Sequence, residues 1–457
     1  MKTDTIAAIA TALSNSGIGI IRISGKEAFP VIRRIFRTKS GKKIDTEKSH
    51  RVHYGFIYDG EEKLDEVLVL IMKGPHSYTA EDTVEIDCHG GVWMMKRILE
   101  TVIRNGARAA EPGEFTKRAF LNGRIDLSQA EAVADVIQAE NDYALKSSVS
   151  QLGGSLSRKI RDLREKILYQ IAFIESALDD PEHISLDGYR EKLKNELFPV
   201  KEELQKMICS FDNGKVMTEG VRTVIVGKPN AGKSSLMNVL LGEERAIVTD
   251  IAGTTRDTLE EKLSLGGITL KVVDTAGIRD TEDVVERMGV DRARKAAADA
   301  DLIIYVVDAS RPLDENDRDI MAFIRDKKAV VLLNKTDLQV VISPEKLENM
   351  CGQKVIPVSA KEETGIDMLE EEIRRLFYRG EIRFNDQVTI TNVRQKAELE
   401  ESLSSIRMVE ESIDGGLPED FYSIDLMSAY EQLGRIIGEA VEDDLVNEIF
   451  SKFCMGK

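Results

Sequence analysis

The spacing of apolar residues changes three times along the chain. Residues 1–120 alternate short apolar runs with turns, which predicts an α+β region with several strands. From 127 to 211, apolar residues recur three and four positions apart, which predicts long amphipathic helices. Between 221 and 378, strand-like apolar runs alternate with helical segments, and this rhythm predicts a mostly parallel sheet with helices on both faces. Helical spacing returns after 379.

These changes predict a multidomain α+β and α/β protein. The predicted domains are an α+β head (1–120), a helical domain in two parts (121–215 and 381–457), and an α/β domain inserted between those parts (216–380). Two short runs at 263–265 and 268–273 flank a glycine pair and predict an antiparallel hairpin within the inserted sheet. The pattern leaves open whether the two helical parts pack together.

Composition excludes several classes of protein. The 457 residues suffice for about three domains of roughly 150 residues. The four cysteines are scattered, without the paired spacing of a structural zinc site or a disulfide scaffold. Apolar runs stay well short of the ~20 residues that a membrane helix needs, so we expect a soluble, cytoplasmic protein without membrane contact. The net charge is −17, yet residues 22–51 hold ten basic and three acidic residues. That stretch suits an anionic partner such as RNA, or equally a solvated surface.

A phosphate-binding motif follows the first strand of the inserted region. Residues 227–234 read GKPNAGKS and lie between an apolar strand and a helix, as in a P-loop. Its glycines let backbone N–H groups turn inward around phosphate oxygens, while Lys233 reaches the β- and γ-phosphates and Ser234 binds Mg²⁺. Residues 274–277 read DTAG after the predicted hairpin, where Asp274 can hold magnesium and Gly277 can approach the γ-phosphate.

Two further motifs specify the base. Residues 334–337 read NKTD, in which Asp337 can accept hydrogen bonds from guanine N1–H and the exocyclic amine. Asn334 can support the base edge and Lys335 can lay its stem along the ring. Ser359 and Ala360 end the last predicted strand, at a suitable distance to back the base. Since all four motifs follow parallel strands in order, they predict a guanine-nucleotide domain rather than a glycine-rich helix cap.

The residue after DTAG is unusual for a hydrolase. Ras-like enzymes have Gln there to orient the attacking water, whereas this chain has Ile278, which cannot do so. Either hydrolysis is slow, or the water and the charge stabilisation come from other residues. The nearby candidates are Arg256, Arg279 and Glu286, each of which could equally be a surface charge.

Further motifs resemble one GTPase family across the whole chain. In the inserted domain these are GTTRD (253–257) and VERMG (285–289). The head contains GIIRISG (19–25), YTAEDTVE (78–85) and PGEFTKRAFLNG (112–123), and the chain ends in FCMGK (453–457). Together they resemble the MnmE family, also called TrmE, of tRNA wobble-uridine modification GTPases.

The resemblance implies cleavage of the β–γ phosphoanhydride of GTP in a tRNA-modifying complex. It implies a K⁺ ion at Asn230, with oxygens of Thr249, Ile251 and Thr254, and Mg²⁺ at Ser234 and Thr255. Glu286 would be the catalytic residue that orients water, which answers the question raised by Ile278. The expected GTP-binding residues are Asn230, Ala231, Gly232, Lys233, Ser234, Ser235, Thr249, Asp250, Ile251, Ala252, Gly253, Thr254, Thr255, Asp274, Thr275, Ala276, Gly277, Asn334, Lys335, Asp337, Ser359 and Ala360.

For the head, the resemblance implies dimerisation and binding of 5-formyl-tetrahydrofolate or a related folate. The matching positions are Arg22, Glu85, Arg124 and Lys457. Arg124 stands where the family usually has Lys, and residues 12–16 replace a loop usually rich in Pro, Gly and Arg. With a FAD-dependent partner of the MnmG type, in a heterotetramer or larger assembly, the homodimer would install aminomethyl or carboxymethylaminomethyl at uridine C5 in tRNA.

Some alternatives stay open from the sequence. Cys454 is either a nucleophile activated near Lys457 or a thiol that lines the pocket. A ribosome-assembly GTPase would share the nucleotide motifs but would carry a basic C-terminal appendage, whereas residues 414–448 are strongly acidic. A non-catalytic folate-binding scaffold fits Ile278 but not Glu286 and Asn230. Direct contact of this chain with tRNA is also undecided.

Overall fold

The structure is a computed structural model of the chain that describes most of its length. The described residues are 4–40, 44, 46, 48–242, 261–265, 268–272, 300–377, 390–439, 443–451, 453 and 456. The chain divides into two compact units. Unit 1 contains residues 1–138, 148–202 and 397–457, and unit 2 contains residues 139–147 and 203–396. The proposed domain boundaries after 120, 215 and 380 stay predictions.

The N-terminal part of unit 1 is a seven-stranded sheet with helices, as the α+β pattern predicts. Its strands are β1 (Ile6–Ile9), β2 (Ser16–Ser24), β3 (Phe36–Thr38), β4 (Arg51–Asp59), β5 (Glu62–Met72), β6 (Thr83–Gly90) and β7 (Arg108–Ala109). Its helices are α1 (Ala28–Ile35), α2 (Val92–Arg104) and α3 (Glu114–Leu121). The strand order is β3-β4-β5-β6-β2-β1-β7, and neighbouring strands are antiparallel except β1 and β7.

Alternation along the strands gives this sheet two different faces. Ile21 and Ile23 of β2 and Ile86 of β6 are fully buried, in the same cluster as apolar residues of α1 and α2. Because successive side chains of a strand point to opposite faces, Arg22 and Glu85 lie on the face away from these two helices. The sheet thus has the main apolar core on one face, and on the other a smaller apolar cluster with α3 beside the polar pair.

Four helices follow the head, as the helical spacing predicts. They are α4 (Leu127–Gln138), α5 (Asp142–Leu152), α6 (Ser155–Asp179) and α7 (Tyr189–Glu219), the last with Pro199 in its interior. The buried residues of α6 recur three and four positions apart, as in Ile160, Leu163 and Ile167, so one stripe of the helix faces the core.

Unit 2 is built on a six-stranded sheet. Its strands are β8 (Val221–Gly227), β9 (Glu261–Leu265), β10 (Ile268–Val272), β11 (Leu302–Asp308), β12 (Ala329–Asn334) and β13 (Lys354–Pro357), and its helices include α8 (Lys233–Leu240), α9 (Glu315–Ile324), α10 (Pro344–Cys351) and α11 (Ile366–Phe377). The order is β13-β12-β11-β8-β10-β9, in which β9 and β10 pair antiparallel and the other pairs are parallel. This confirms the predicted parallel sheet with one antiparallel hairpin.

Both faces of the second sheet are covered. Along β11, Ile304 and Val306 belong to a cluster with α8 and α11, whereas Ile303, Tyr305 and Val307 belong to a cluster with α9 and α10. A strand that is buried on both faces reads as a continuous apolar run, which is why the sequence signal there was strong. The predicted doubly covered sheet is confirmed.

Three helices complete the described C-terminal part, and they are α12 (Val393–Asp414), α13 (Glu419–Ile437) and α14 (Asp443–Ser451). Within unit 1, α13 packs against α6, where Arg164 Nε donates to the carbonyl oxygen of Tyr430 at 3.1 Å and Ser423 contacts Glu175. The two helical stretches therefore do pack together. Among the helices of the described ranges, none is both long and apolar enough to cross a membrane.

Candidate functional site

The phosphate-binding motif forms a tight loop between β8 and α8. Gly227 and Gly232 adopt φ angles of 152° and 96°. A Cβ atom at Gly227 would lie 2.4 Å from the carbonyl oxygen of Val306, and one at Gly232 would lie 2.1 Å from Asn334 Nδ2. Asn230 also has a positive φ, of 62°, which Asn tolerates better than most residues. The loop therefore requires glycine at two of its positions.

Lys233 is the first residue of α8 and bends back over the loop. Its Nζ donates to the carbonyl oxygens of Gly227 and Lys228, both at 2.7 Å. Burial lowers the pKa of Lys233 from its ordinary value of 10.5. An anion bound in the loop would oppose that effect and favour the charged form. Ser234 and Ser235 follow in the first turn of α8 and are exposed, at a helix N-terminus suited to anions.

Asn334 joins the two ends of the candidate nucleotide site. It ends β12 and is 2% exposed. Its Nδ2 donates to the carbonyl oxygen of Ala231 in the P-loop at 2.8 Å, and its Oδ1 accepts from the backbone N–H of Ala360 at 3.1 Å. Three motifs thus meet at one side chain, which lies 103 residues from Ala231 and 26 residues from Ala360 along the chain.

Asp337, the carboxylate predicted to recognise guanine, is held by Ser359 of the last motif. The Ser359 hydroxyl donates to Asp337 Oδ1 at 2.8 Å, and Ser359 is buried while Asp337 is half-buried. Lys335 has a φ of 64°, and its Nζ lies 2.7 Å from Asp308 Oδ2. Asp308 ends β11 and was not among the predicted site residues, although, like the predicted Asn334, it lies at the carboxyl end of a buried parallel strand.

Several predicted site residues lie outside the described residues. They are Thr249, Asp250, Ile251, Ala252, Gly253, Thr254, Thr255, Asp274, Thr275, Ala276, Gly277, Glu286 and Lys457, together with Arg256, Ile278, Arg279 and Cys454.

In unit 1, Arg22 and Glu85 form a second polar site on the face of the N-terminal sheet that carries α3. They are direct partners across β2 and β6, with Arg22 Nε 2.7 Å from Glu85 Oε1, and their side chains are 14% and 17% exposed. Arg22 Nη1 also donates to the carbonyl oxygen of Gly456 at 3.3 Å. The guanidinium groups of Arg22 and Arg124 lie 5.2 Å and 5.0 Å from the ring centre of Tyr78.

The described part of the candidate folate site therefore has two cations, one carboxylate and two aromatic rings, since Arg22 also lies 5.6 Å from the ring centre of Phe115. Tyr78 is not among the positions predicted for folate, although it begins the head motif at 78–85. Its hydroxyl is 2.9 Å from Thr116 Oγ1, which fixes the ring. A flat ring flanked by guanidinium groups and a carboxylate suits a planar ligand with donor and acceptor edges.

A separate cluster of ion pairs surrounds α3. Arg118 contacts Asp4, Glu81 and Glu114 at 3.0–3.1 Å, and Arg108 contacts Asp4 and Glu114 at 2.6 Å and 2.5 Å. Members of this cluster line a cavity of about 590 Å³ that also touches Val446 and Asn447 of α14. Arg22, Glu85 and Arg124 do not line this cavity, so it is distinct from the candidate folate site.

Comparisons with known proteins cover the whole chain. The family model described as "GTP-binding protein TrmE N-terminus" matches residues 5–124, and the model of the MnmE helical domain matches residues 127–454. The tRNA modification GTPase MnmE of Lachnoclostridium phytofermentans is 57% identical over 100% of both chains, and that of Acetivibrio thermocellus is 49% identical, again over 100% of both. A solved structure of Era from Aquifex aeolicus matches 41% of this chain and 67% of that chain, with 27% identity and a TM-score of 0.26.

Proposed function

The chain belongs to the MnmE family of tRNA modification GTPases, and we propose that it hydrolyses GTP to support modification of the wobble uridine in tRNA. The observation that carries this proposal is the bonding among separate motifs. Asn334 connects the P-loop to Ala360, and Ser359 holds Asp337. Groups that are fixed relative to one another before the nucleotide arrives lose less entropy on binding.

GTP would bind along the carboxyl edge of the second sheet. The backbone N–H groups of residues 230–235 would surround the phosphates, and Lys233 would leave the carbonyl oxygens that it now contacts to pair with the β- and γ-phosphates. Asp337 would accept from the guanine N1–H and amine while Lys335, held by Asp308, lies along the ring.

The residues suit two cations. Ser234 contributes a hydroxyl in the first turn of α8 and would hold Mg²⁺ together with Thr255, because Mg²⁺ prefers oxygen ligands. Asn230 is exposed on the P-loop and would offer its amide oxygen to K⁺, with backbone oxygens of Thr249, Ile251 and Thr254. K⁺, when bound, supplies positive charge where charge develops between the phosphates. Glu286 would orient the attacking water in place of the Gln that Ile278 replaces.

The head would supply the carbon. A folate of the 5-formyl-tetrahydrofolate type would place its pterin edge on Glu85 and its acidic tail near Arg22, Arg124 and Lys457. The short Arg22–Glu85 contact and the Tyr78 ring support this assignment, because they keep these groups in position on the sheet face. Two heads would meet in a homodimer.

The chain would act with a FAD-dependent subunit of the MnmG type on tRNA. Together they would attach aminomethyl or carboxymethylaminomethyl to uridine C5, while GTP hydrolysis drives a rearrangement rather than the carbon chemistry. Such coupling needs two global states that differ in nucleotide affinity. Persistence of this uridine modification in cells from which the gene has been deleted would contradict the tRNA role.

The first experiment is GTP hydrolysis by the purified chain in K⁺ and in Na⁺ at equal ionic strength. We expect faster turnover in K⁺ and loss of that difference in Asn230→Ala, because the amide oxygen of Asn230 is the proposed ligand. Asn349→Ala is the matched control, since Asn349 is exposed on α10 of the same unit. Equal and slow rates in both salts would remove the K⁺ assignment and leave nucleotide binding to be tested separately.

A further inference from the structure

The first turn of the phosphate-binding loop is tied to a different element of unit 2. Lys228 follows Gly227 directly, and its Nζ lies 2.6 Å from Asp314 Oδ2 and 2.5 Å from Asp317 Oδ2. Asp314 precedes α9 and Asp317 lies in its first turn. One lysine of the P-loop is thus shared by two carboxylates that the nucleotide motifs do not include.

These carboxylates are fixed independently of Lys228. The backbone N–H of Asp317 donates to Asp314 Oδ1 at 3.2 Å, and that of Asp314 donates to Asp317 Oδ2 at 3.0 Å, which is a capping box. Asp317 is only 3% exposed and accepts from the hydroxyl of Tyr305 at 2.8 Å, and Tyr305 is fully buried in β11. Lys228 therefore pairs with a carboxylate, that of Asp317, which is fixed to the buried core of the sheet.

Other described contacts also reach this loop. Asn334 holds its middle at Ala231, and Lys233 contacts the carbonyl oxygens at its start but is the group expected to turn to phosphate. When Lys233 turns away, Lys228 remains as the tether of the first turn. Hydrogen bonding to Lys228 lowers the pKa of Asp314, so this carboxylate stays ionised and keeps the tether.

We propose that Lys228 is a positioning residue of the nucleotide site, which through Asp314 and Asp317 holds the P-loop in the shape that accepts phosphates. The proposal deepens the proposed function and rests on guanine-nucleotide binding at this loop. The positive charge of Lys228 also neutralises carboxylates close to the phosphate site, where unbalanced negative charge would weaken binding of the phosphates. Because its Nζ is engaged by the two carboxylates, Lys228 acts on the loop and does not itself bind the nucleotide.

The test is binding of fluorescently labelled GDP to the full chain, together with kcat and KM for GTP. We expect Lys228→Met to raise the Kd and the KM roughly tenfold, with kcat little changed, and Lys228→Arg to restore most of the affinity. Asp314→Asn should raise the Kd by a smaller factor, because Asn caps a helix as well as Asp but lacks the charge. Lys262→Met is the matched control, since it breaks the ion pair with Glu140 in the same unit.

The outcomes separate this inference from the proposed function. A wild-type chain that fails to bind labelled GDP overturns both. A wild-type chain that binds, with Lys228→Met at the wild-type Kd, overturns the tether alone. A raised Kd in Lys228→Met with both Asp314→Asn and Asp317→Asn unchanged also overturns it, because Lys228 would then act without either carboxylate. Thermal unfolding of each variant shows whether the fold is intact, and the Asp314→Asn and Lys228→Arg results decide the matter if Lys228→Met unfolds.

Discussion

The candidate nucleotide site and the candidate folate site both use a β-sheet, but they use different parts of it. Residues of the nucleotide site follow the carboxyl ends of parallel strands, as Asn334 and Asp308 do. Arg22 and Glu85 instead lie within antiparallel strands, on the face opposite α1 and α2 and next to α3. The first site is made of loops and is closed by hydrogen bonds among them, whereas the second is made of side chains that stand on one surface.

This difference decides how each site responds to substitution. Backbone groups contribute much of the phosphate site, so its specificity depends on the few side chains that read the base. In the head, the recognition groups are all side chains, and Arg22 reaches partners that are 63 and 434 residues away along the chain. We therefore expect sharp, base-specific effects in unit 2 and a graded loss of affinity in unit 1.

The largest expected effect comes from Asp337→Asn. Asn keeps an oxygen that accepts from guanine N1–H but turns its amide NH₂ toward the exocyclic amine. One of the two charge-assisted hydrogen bonds is then lost and the other loses its charge, so the affinity for GTP should fall about a hundredfold. Xanthine carries an oxygen where guanine has its amine, so xanthosine triphosphate should bind the variant better than GTP. Competition of each triphosphate against labelled GDP measures its affinity for the variant. Binding of 5-formyl-tetrahydrofolate should not change.

Wild-type affinity for GTP in Asp337→Asn would contradict the expected contrast between the two sites. Ser359→Ala is a useful companion, because it removes the hydroxyl that holds Asp337 but leaves the carboxylate. It should weaken GTP binding far less and keep the preference for guanine. A shift toward xanthine in Ser359→Ala would mean that orientation of the carboxylate, rather than its charge, selects the base.

The same difference explains what the sequence could predict. The P-loop, NKTD and the Ser359-Ala360 pair are local patterns whose chemistry can be read in order, and the parallel sheet follows from continuous apolar strands. Asp308, Asp314 and Asp317 belong to no such pattern, and they matter only because the sheet brings β8 and β11 side by side. Arg22 alone reads as an ordinary strand residue, so only the family resemblance selected it.

A smaller effect is expected from Arg22→Met. The substitution leaves Glu85 without its cation in a largely buried setting and removes one charge that would face the folate, so we expect roughly tenfold weaker binding of 5-formyl-tetrahydrofolate. Arg22→Lys keeps the charge but not the fork geometry and should recover part of the affinity. Titration calorimetry with the full chain measures the affinity, and binding of labelled GDP serves as the check that unit 2 is intact.

Arg97→Met is the matched control for that substitution. Arg97 pairs with Glu62 at 3.0 Å, but both side chains are more exposed, at 35% and 60%. Solvent screens such a pair, so its loss should leave folate affinity unchanged. Equal effects of the two substitutions would mean that net charge of the head, and not the Arg22–Glu85 site, governs binding.

The smallest expected effect is the loss of fold stability at acid pH that comes from the ion pairs around α3. The Arg108 hydrogen bond lowers the pKa of Asp4, and the pKa of Glu114 is also lowered, since hydrogen bonds from Arg108, Arg118 and the Glu111 backbone outweigh the burial that raises it. A carboxylate with a lowered folded pKa stabilises the fold above its unfolded value, 4.5 for Glu114, and loses that contribution as the pH falls through the folded value.

Thermal unfolding of the wild type and Arg108→Met between pH 7 and pH 3 tests this contribution. The variant should unfold at a lower temperature than the wild type at pH 7. This difference in unfolding temperature should narrow below about pH 4.5, where protonated carboxylates no longer pair with the cation. Lys166→Met removes an exposed pair with Asp162 in the same unit and should shift the midpoint little at any pH. A difference in unfolding temperature that stays constant with pH would show that Arg108 stabilises the head through packing. The carboxylates of this unit would then act without their charge, unlike Asp337 in the other unit.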